Sequence, residues 1–256
     1  MKNILFFDVD GTLFNSQKKL PVSAKEAIFK ARANGHEIAI ATGRAPFMIK
    51  QLLKELEIDT YVTFNGQYVV YKGEVIFTDS IPNVELEEII AYGAERNHPV
   101  VFLDDRKMIA SVEGNVAIQE SLDTLRYPYP EMDAQFYLNS AVYQTLLFIE
   151  EHEQQQYETR FPNVEFVRWH AKSCDMLPKG GSKARGIEKI LQHISVPIEQ
   201  VMAFGDGLND VEMLRAVGIG VAMGNGHSKA KEAADLIAGH VDEDGLYKIM
   251  KKLMLF

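Results

Sequence analysis

Apolar positions at the start of the chain fall in short continuous runs, separated by segments with helical spacing. Ile4 to Phe7 is an uninterrupted apolar run of four that ends in an Asp/Gly-containing loop, the pattern of a strand buried on both faces of a parallel sheet. Ser23-Ala24-Lys25-Glu26 after Pro21 fits a capping box, and Ala24, Ala27, Ile28 and Ala31 keep helical spacing until Gly35 supplies a stop. Glu37 to Ala41 reads as a second strand, Pro46 to Leu56 as a second helix and Tyr61 to Phe64 as a third buried strand. Strands and helices alternating at this interval predict right-handed βαβ units and a doubly wound, Rossmann-like parallel sheet.

The rhythm then changes. Gln67 to Tyr71 and Glu74 to Phe77 flank Lys72-Gly73 as a hairpin. From Pro82 onward, helical segments at Val84 to Arg96 and His152 to Arg160 mix with strands at Val100 to Leu103, Met108 to Ser111, Val142 to Ile149, Val164 to Trp169 and Cys174 to Leu177. After Lys179-Gly180-Gly181 the βα alternation returns: a helix over Lys183 to Ile194, a strand at Val201 to Phe204, a helix over Asp210 to Ala216, a strand at Ile219 to Met223 and a closing helix over Leu246 to Leu253. The parsimonious arrangement is an α/β core made of residues 1–81 and 182–256, with an α+β domain of residues 82–181 inserted between its halves and a crevice between the two.

Composition narrows the functional classes. Of 256 residues 46% are hydrophobic and 25% charged, which fits a globular protein rather than a disordered or disulfide-framed chain. A formal net charge of −9 with no dense Lys/Arg cluster argues against nucleic acids and anionic membranes as partners. The single cysteine, Cys174, excludes an internal disulfide and Cys-x-x-Cys metal spacing. Asp8 and Asp10 cut short the opening apolar run, and no uncharged stretch reaches the 18 residues of a membrane span, so a cytoplasmic protein is expected, as monomer or homodimer.

In open parallel sheets the chemistry sits at the carboxyl ends of strands. The polar residues there are Asp8 and Asp10, then Thr42 and Gly43, then Asp206, Asn209 and Asp210, with Lys183 where the chain re-enters the core. Each has a bland reading alone, since Asp-Gly forms turns and Asp or Asn caps helices; their joint placement at three strand ends favours a site. Aspartates at i and i+2 point to one side of an extended chain and resist joint ionisation unless a cation or proton is shared. An all-oxygen donor set points to Mg²⁺, and the seven histidines show no ligand spacing.

Asp8-Val9-Asp10-Gly11-Thr12, Ala41-Thr42-Gly43-Arg44, Lys183 and Gly205-Asp206-Gly207-Leu208-Asn209-Asp210 together resemble the four motifs of the haloacid dehalogenase (HAD) superfamily. Ala222-Met223-Gly224-Asn225-Gly226 and the long insertion resemble its Cof-type phosphatases with a large α/β cap of the C2B kind. The resemblance implies a Mg²⁺-dependent phosphatase of small phosphorylated metabolites, sugar phosphates first, working through an aspartyl-phosphate. It implies Asp8 as nucleophile and Asp10 as general acid and base, with a proton resident on Asp10. Asp8, the Asp10 carbonyl and Asp206 would hold the metal with Asp210 in support, while Val9, Thr42, Gly43, Lys183 and Asn209 would hold the phosphoryl group.

Lys179 competes with Lys183 for the cationic role, but Lys183 stands at a helix start and is preferred. Arg44 reads as a solvated or structural residue, and Arg168, Trp169 and His170 at a strand end in the inserted domain as packing rather than substrate contacts. Two alternatives share the same residues. One is a phosphomutase passing the group to a second sugar hydroxyl; the other is a receiver-like signalling module, disfavoured because its acidic pair would come from different strands. No Gly-x-x-x-x-Gly-Lys-Ser/Thr run supports a P-loop.

Overall fold

The structure, a computed structural model, describes residues 3–125 and 127–256; Met1 and Lys2, at the head of the opening segment, and Arg126 lie outside the described residues. The chain runs β1 (Ile4–Phe7), α1 (Val22–Ala33), β2 (Glu37–Ala41), α2 (Pro46–Leu56), β3 (Tyr61–Thr63), then the hairpin β4 (Tyr68–Tyr71) and β5 (Glu74–Thr78). A second run follows: α3 (Asn83–Ala94), β6 (Val100–Leu103), β7 (Met108–Ala110), α4 (Val116–Thr124), β8 (Gln144–Leu147), α5 (Gln154–Arg160), β9 (Val164–His170) and β10 (Ser173–Pro178). It closes with α6 (Lys183–Ile194), β11 (Val201–Gly205), α7 (Val211–Ala216), β12 (Ile219–Ala222), α8 (Ser228–Ala233), β13 (Leu236–Ile237) and α9 (Gly245–Lys252). These elements form two compact units: Met1–Arg44, Met48–Thr78 and Ser182–Phe256 make one, and Ala45–Phe47 with Asp79–Gly181 make the other.

The first unit holds an eight-stranded sheet in the order β13-β12-β11-β1-β2-β3-β4-β5, parallel from β13 to β3 and antiparallel through the hairpin. Both faces of its centre are dry, which is why its strands read as continuous apolar runs. Leu5, Phe7, Ile38, Ile40, Met202 and Phe204 face one core with Ala27 and Ile28 of α1 and Ile249 of α9. Their neighbours Ile4, Phe6, Ala39, Ala41, Val201 and Ala203 face the other, with Ile187 and Ile190 of α6 and Met213 of α7. Phe7 and Phe204, paired across β1 and β11, stack with ring centroids 4.7 Å apart, worth about 0.5–1.5 kcal/mol beyond burial. The connection from β1 goes to β2 while β11 lies on its other side, so the order switches between β1 and β11 and leaves a crevice at their carboxyl ends.

The second unit is a five-stranded antiparallel sheet, β7-β6-β8-β10-β9, with its own core. The fold is thus α/β with a separate antiparallel sheet.

Local readings differ in a few places. The capping box at Ser23 is absent: Pro21 occupies the N-cap, and Ser23, already inside the helix, donates to Asp244 Oδ1 at 2.5 Å. Three elements that the pattern did not predict are short and thinly apolar. Helix α4 buries Ile118, Ser121 and Leu122 and is started by the Asn115 side chain; α8 buries only Ala230; β13 is two residues held by pairing to β12. Strand β8 is four residues rather than the eight expected. No helix among the described residues is long and apolar enough to cross a membrane.

Candidate active site

Asp8 is the first residue after β1, tied down by its backbone N–H to the Phe204 carbonyl at 2.9 Å. Lys183 opens α6, where the capping Ser182 hydroxyl accepts from the Arg185 N–H. The helix start can close on the loop after β3 because Gly66 has φ +97° and no side chain; a Cβ there would lie 2.1 Å from the Ser182 carbonyl oxygen. Lys183 is fully buried, and its ammonium donates to Asp8 Oδ1 at 2.6 Å and Asp210 Oδ1 at 2.5 Å. The other Asp210 oxygen accepts from the N–H groups of Asp206 and Gly207 at 2.9 and 2.8 Å, which fixes the loop after β11. Lys179 is elsewhere: it donates to the Pro162 carbonyl within the inserted unit.

Asp10 is held apart from Asp8. Arg44 grips its carboxylate with two bonds, Nε to Oδ2 at 2.7 Å and Nη2 to Oδ1 at 2.8 Å, and Lys18 adds a third at 2.7 Å. Burial works against ionisation, but the guanidinium and ammonium outweigh it and hold Asp10 below the usual carboxylate range. The expected resident proton is therefore replaced by two cations, and Arg44, expected to be solvated or structural, is the main partner of the proposed acid and base. Asp8 and Asp10 do not share one cation; each has its own.

Thr42 and Gly43 follow β2, with the Thr42 N–H on the Val62 carbonyl and its Oγ1 accepting from the Arg44 N–H at 3.2 Å. Asn209 donates to Asn65 Oδ1 at 3.0 Å, and Asn65 sits against Gly43, its backbone in the left-handed region at φ 50°. The Val9 side chain is buried in the core, its carbonyl accepting from Phe14. The sequence reading passed over Asn65 and left Asn225 without a role. Asn225 donates to the Gly11 carbonyl and to Asp206 Oδ2 and accepts from Val241. An Asn-Gly pair after a strand was the available signal for Asn65. Of the inserted unit's candidates, Arg168 is spent on structure, donating to Gln154 Oε1 and to the carbonyls of Ile149, Glu150, His170 and Ala171, while His170 pairs with Ser121.

One carboxylate oxygen from each of Asp8, Asp206 and Asp210 lies within 4.8 Å of the others. Burial, followed by carboxylate neighbours, pushes Asp206 up to about 6. Burial likewise pushes Asp8 up to about 8, opposed by Lys183. Lys183 between two carboxylates is held charged, above the ordinary lysine value. Three clustered carboxylates with one buried ammonium are short of positive charge, and an all-oxygen set of this size fits a hard divalent cation. Asp210 has both oxygens engaged, leaving Asp8 and Asp206 as the direct donors. Gly11, at φ +77°, leaves the room: a Cβ there would lie 2.1 Å from Asp206 Oδ2.

Aspartates that follow β1 and β11 beside a topological switch, with a lysine from the start of α6 buried between two of them, mark a candidate active site. The chain matches the haloacid dehalogenase-like hydrolases over residues 5–250 and belongs to that family. It is 40% identical to YkrA of Bacillus subtilis (strain 168), a protein carrying a provisional phosphatase name, over 98% of both chains. A crystal structure of a hypothetical protein from Geobacillus kaustophilus HTA426 covers 100% of each chain with TM-score 0.98 and 43% identity. The HAD subclass IIB sugar phosphatase BT4131 also covers both chains fully, with TM-score 0.84 and 34% identity. The protein is a phosphatase of this family.

Proposed function

We propose that the protein hydrolyses small phosphorylated metabolites, sugar phosphates foremost, with Mg²⁺ bound and Asp8 as nucleophile. The observation that carries this is the buried Asp8–Lys183–Asp210 chain beside Asp206, with a separately paired Asp10 two residues from the nucleophile. The likeness to a sugar phosphatase supports the substrate class.

The roles follow from the contacts. An Asp8 oxygen attacks phosphorus as the ester P–O bond breaks, and Asp10 delivers a proton to the leaving alcohol oxygen. Since Arg44 and Lys18 hold Asp10 ionised, its acid role requires substrate binding to loosen one of those contacts so that the carboxylate first takes a proton from solvent, whereas its base role matches the state seen. Asp10 then takes a proton from water, water oxygen bonds to phosphorus, the Asp8–phosphorus linkage breaks and phosphate departs. Thr42, Gly43 and Asn209, the last set by Asn65, hold phosphoryl oxygens. Asp8 and Asp206, with Asp210 behind, would hold Mg²⁺, which when bound would supply positive charge to those oxygens.

The test is phosphate release from a metabolite panel with Mg²⁺, with Asp8→Asn as control. Turnover that the substitution abolishes is expected; equal release by both proteins overturns the assignment.

A further inference from the structure

A loop of the first unit reaches the candidate metal donors from behind. Strand β12 lies next to β11, which lies next to β1, so their carboxyl ends stand in a row. The loop after β12 is laid along that row: the Met223 N–H donates to the Gly205 carbonyl at 2.9 Å and the His227 N–H to the Asp206 carbonyl at 2.8 Å. It is also tied to the chain ahead of α9, with the Gly224 N–H on the Gly239 carbonyl at 3.0 Å. Half-buried Asn225 is the residue of this loop whose side chain reaches across β11 to the loop after β1.

The Asn225 amide is held in one orientation. Its Oδ1 accepts from the Val241 N–H at 2.9 Å, which settles which end is oxygen and leaves only donors for the other side. Those donors go to the Gly11 carbonyl at 2.8 Å and to Asp206 Oδ2 at 3.3 Å. One side chain thus ties the loop that carries Asp8 and Asp10 to the carboxylate that follows β11. Charge accounts for the residue type. Asp8 and Asp210 share the Lys183 ammonium, whereas Asp206 is met here by a neutral amide. A lysine or arginine in that place would neutralise Asp206 and repel a divalent ion, and an aspartate would repel Asp206 itself. An amide holds one oxygen still and leaves the negative charge to the cation.

We propose that Asn225 is a positioning residue for the divalent cation: by pinning Asp206 Oδ2 and the Gly11 carbonyl to one amide, it sets the gap between the loops after β1 and β11, so that Asp206 offers its other oxygen beside Asp8. This rests on the metal reading above and adds to it the side chain that gives the site its shape. A fixed carboxylate matters most to Mg²⁺, which demands near-ideal octahedral geometry, and less to Ca²⁺, whose coordination is flexible. Asn225 is therefore expected to govern the choice between the two ions as well as affinity.

The experiment measures Mg²⁺ and Ca²⁺ dissociation constants by calorimetry on the metal-free full chain, without substrate. In Asn225→Ala the Mg²⁺ constant is expected to rise about tenfold, the low end of what losing a ligand's hydrogen-bond partner costs, and the Ca²⁺ constant by less than about threefold. Asn225→Ser, polar but too short to reach Asp206, is expected to act alike and guards against a folding failure of the first variant. A Mg²⁺ constant within about threefold of wild type in a folded variant, or equal rises for the two ions, as a general loosening of the loop would give, overturns the proposal. Wild-type Mg²⁺ binding that Asp206→Asn leaves unchanged, or no wild-type binding at all, is the distinct result that overturns the metal reading and this inference with it.

Discussion

Lys183→Met removes the one cation inside the Asp8–Asp210 pair while keeping side-chain length. At an effective dielectric of about 20, a charge pair at the 2.5 Å of the Lys183–Asp210 contact is worth about 7 kcal/mol before desolvation. The Asp8 contact, at 2.6 Å, adds a charge pair only in the fraction of molecules whose Asp8, raised to about 8, is ionised. Much of that is offset by the cost of burying the ions, but breaking such a pair by removing one partner typically costs about 3–5 kcal/mol, because the others stay buried and uncompensated. Against a total stability of about 5–15 kcal/mol, this is a large fraction. In chelator at pH 7 the variant is expected to lose about 3–5 kcal/mol in urea unfolding followed by far-UV circular dichroism, and to lose turnover.

Acidification should narrow that gap. A carboxyl whose folded pKa lies above its unfolded value favours the fold as pH drops through the folded value, and each unit of upward shift is worth about 1.4 kcal/mol. Asp8 is already raised to about 8 in the wild type, so both proteins gain on going from pH 7 to pH 5. The variant gains more, because Asp8 and Asp210 have both lost their counter-charge. Lys183 is itself raised above the ordinary lysine value, so its contribution is complete below about pH 10.4 and vanishes only above its folded pKa; it does not change between pH 5 and 7. A deficit under 1 kcal/mol at pH 7, or one equally large at pH 5, would refute the reasoning.

Other outcomes follow from the same contacts. Divalent-metal affinity should rise from pH 5 to pH 8, because Asp206 at about 6 and Asp8 at about 8 must shed protons to bind; calorimetry in buffers of different ionisation enthalpy should detect the released protons, and a pH-independent affinity counts against the site. Arg44→Ala should lift the Asp10 carboxyl, move the acid limb of the pH–rate profile upward and lower kcat/KM about tenfold, part of the ~10²–10⁴ that acid–base catalysis supplies; an unmoved limb separates Asp10 from that limb. Gly11→Ala should cost about 1–3 kcal/mol for the left-handed backbone and raise the Mg²⁺ concentration for half-activity, since the new Cβ displaces Asp206; unchanged metal dependence contradicts Asp206 as a ligand.

The candidate residues at the crevice were legible because each stands locally at a strand end. A buried strand followed at once by Asp or Thr-Gly is visible in one dimension, and three such junctions suffice once a parallel sheet aligns their ends, as β1, β2 and β11 do. The partner of each aspartate was less accessible. Asp8 and Asp10 share a motif, yet their cations come from 175 residues away in Lys183 and 34 away in Arg44, distances along the chain that no spacing rule encodes. Asn65 takes a left-handed backbone, rests against Gly43 and accepts from Asn209, a meeting of distant residues that no local pattern announces.

The inserted unit shows the opposite limit. Its strands were largely readable from alternating and apolar runs, whereas Gln144, Asp175 and Trp169 belong to three strands whose registers decide that they meet. Read singly, Asp175 is a polar residue between Cys174 and Met176, and Trp169 is an aromatic at a strand end. A shift of one residue in the β10–β8 or β10–β9 pairing would place them on opposite faces. Polar residues that follow strand ends can be recognised before folding is known, while residues brought together across a sheet become visible only with the register.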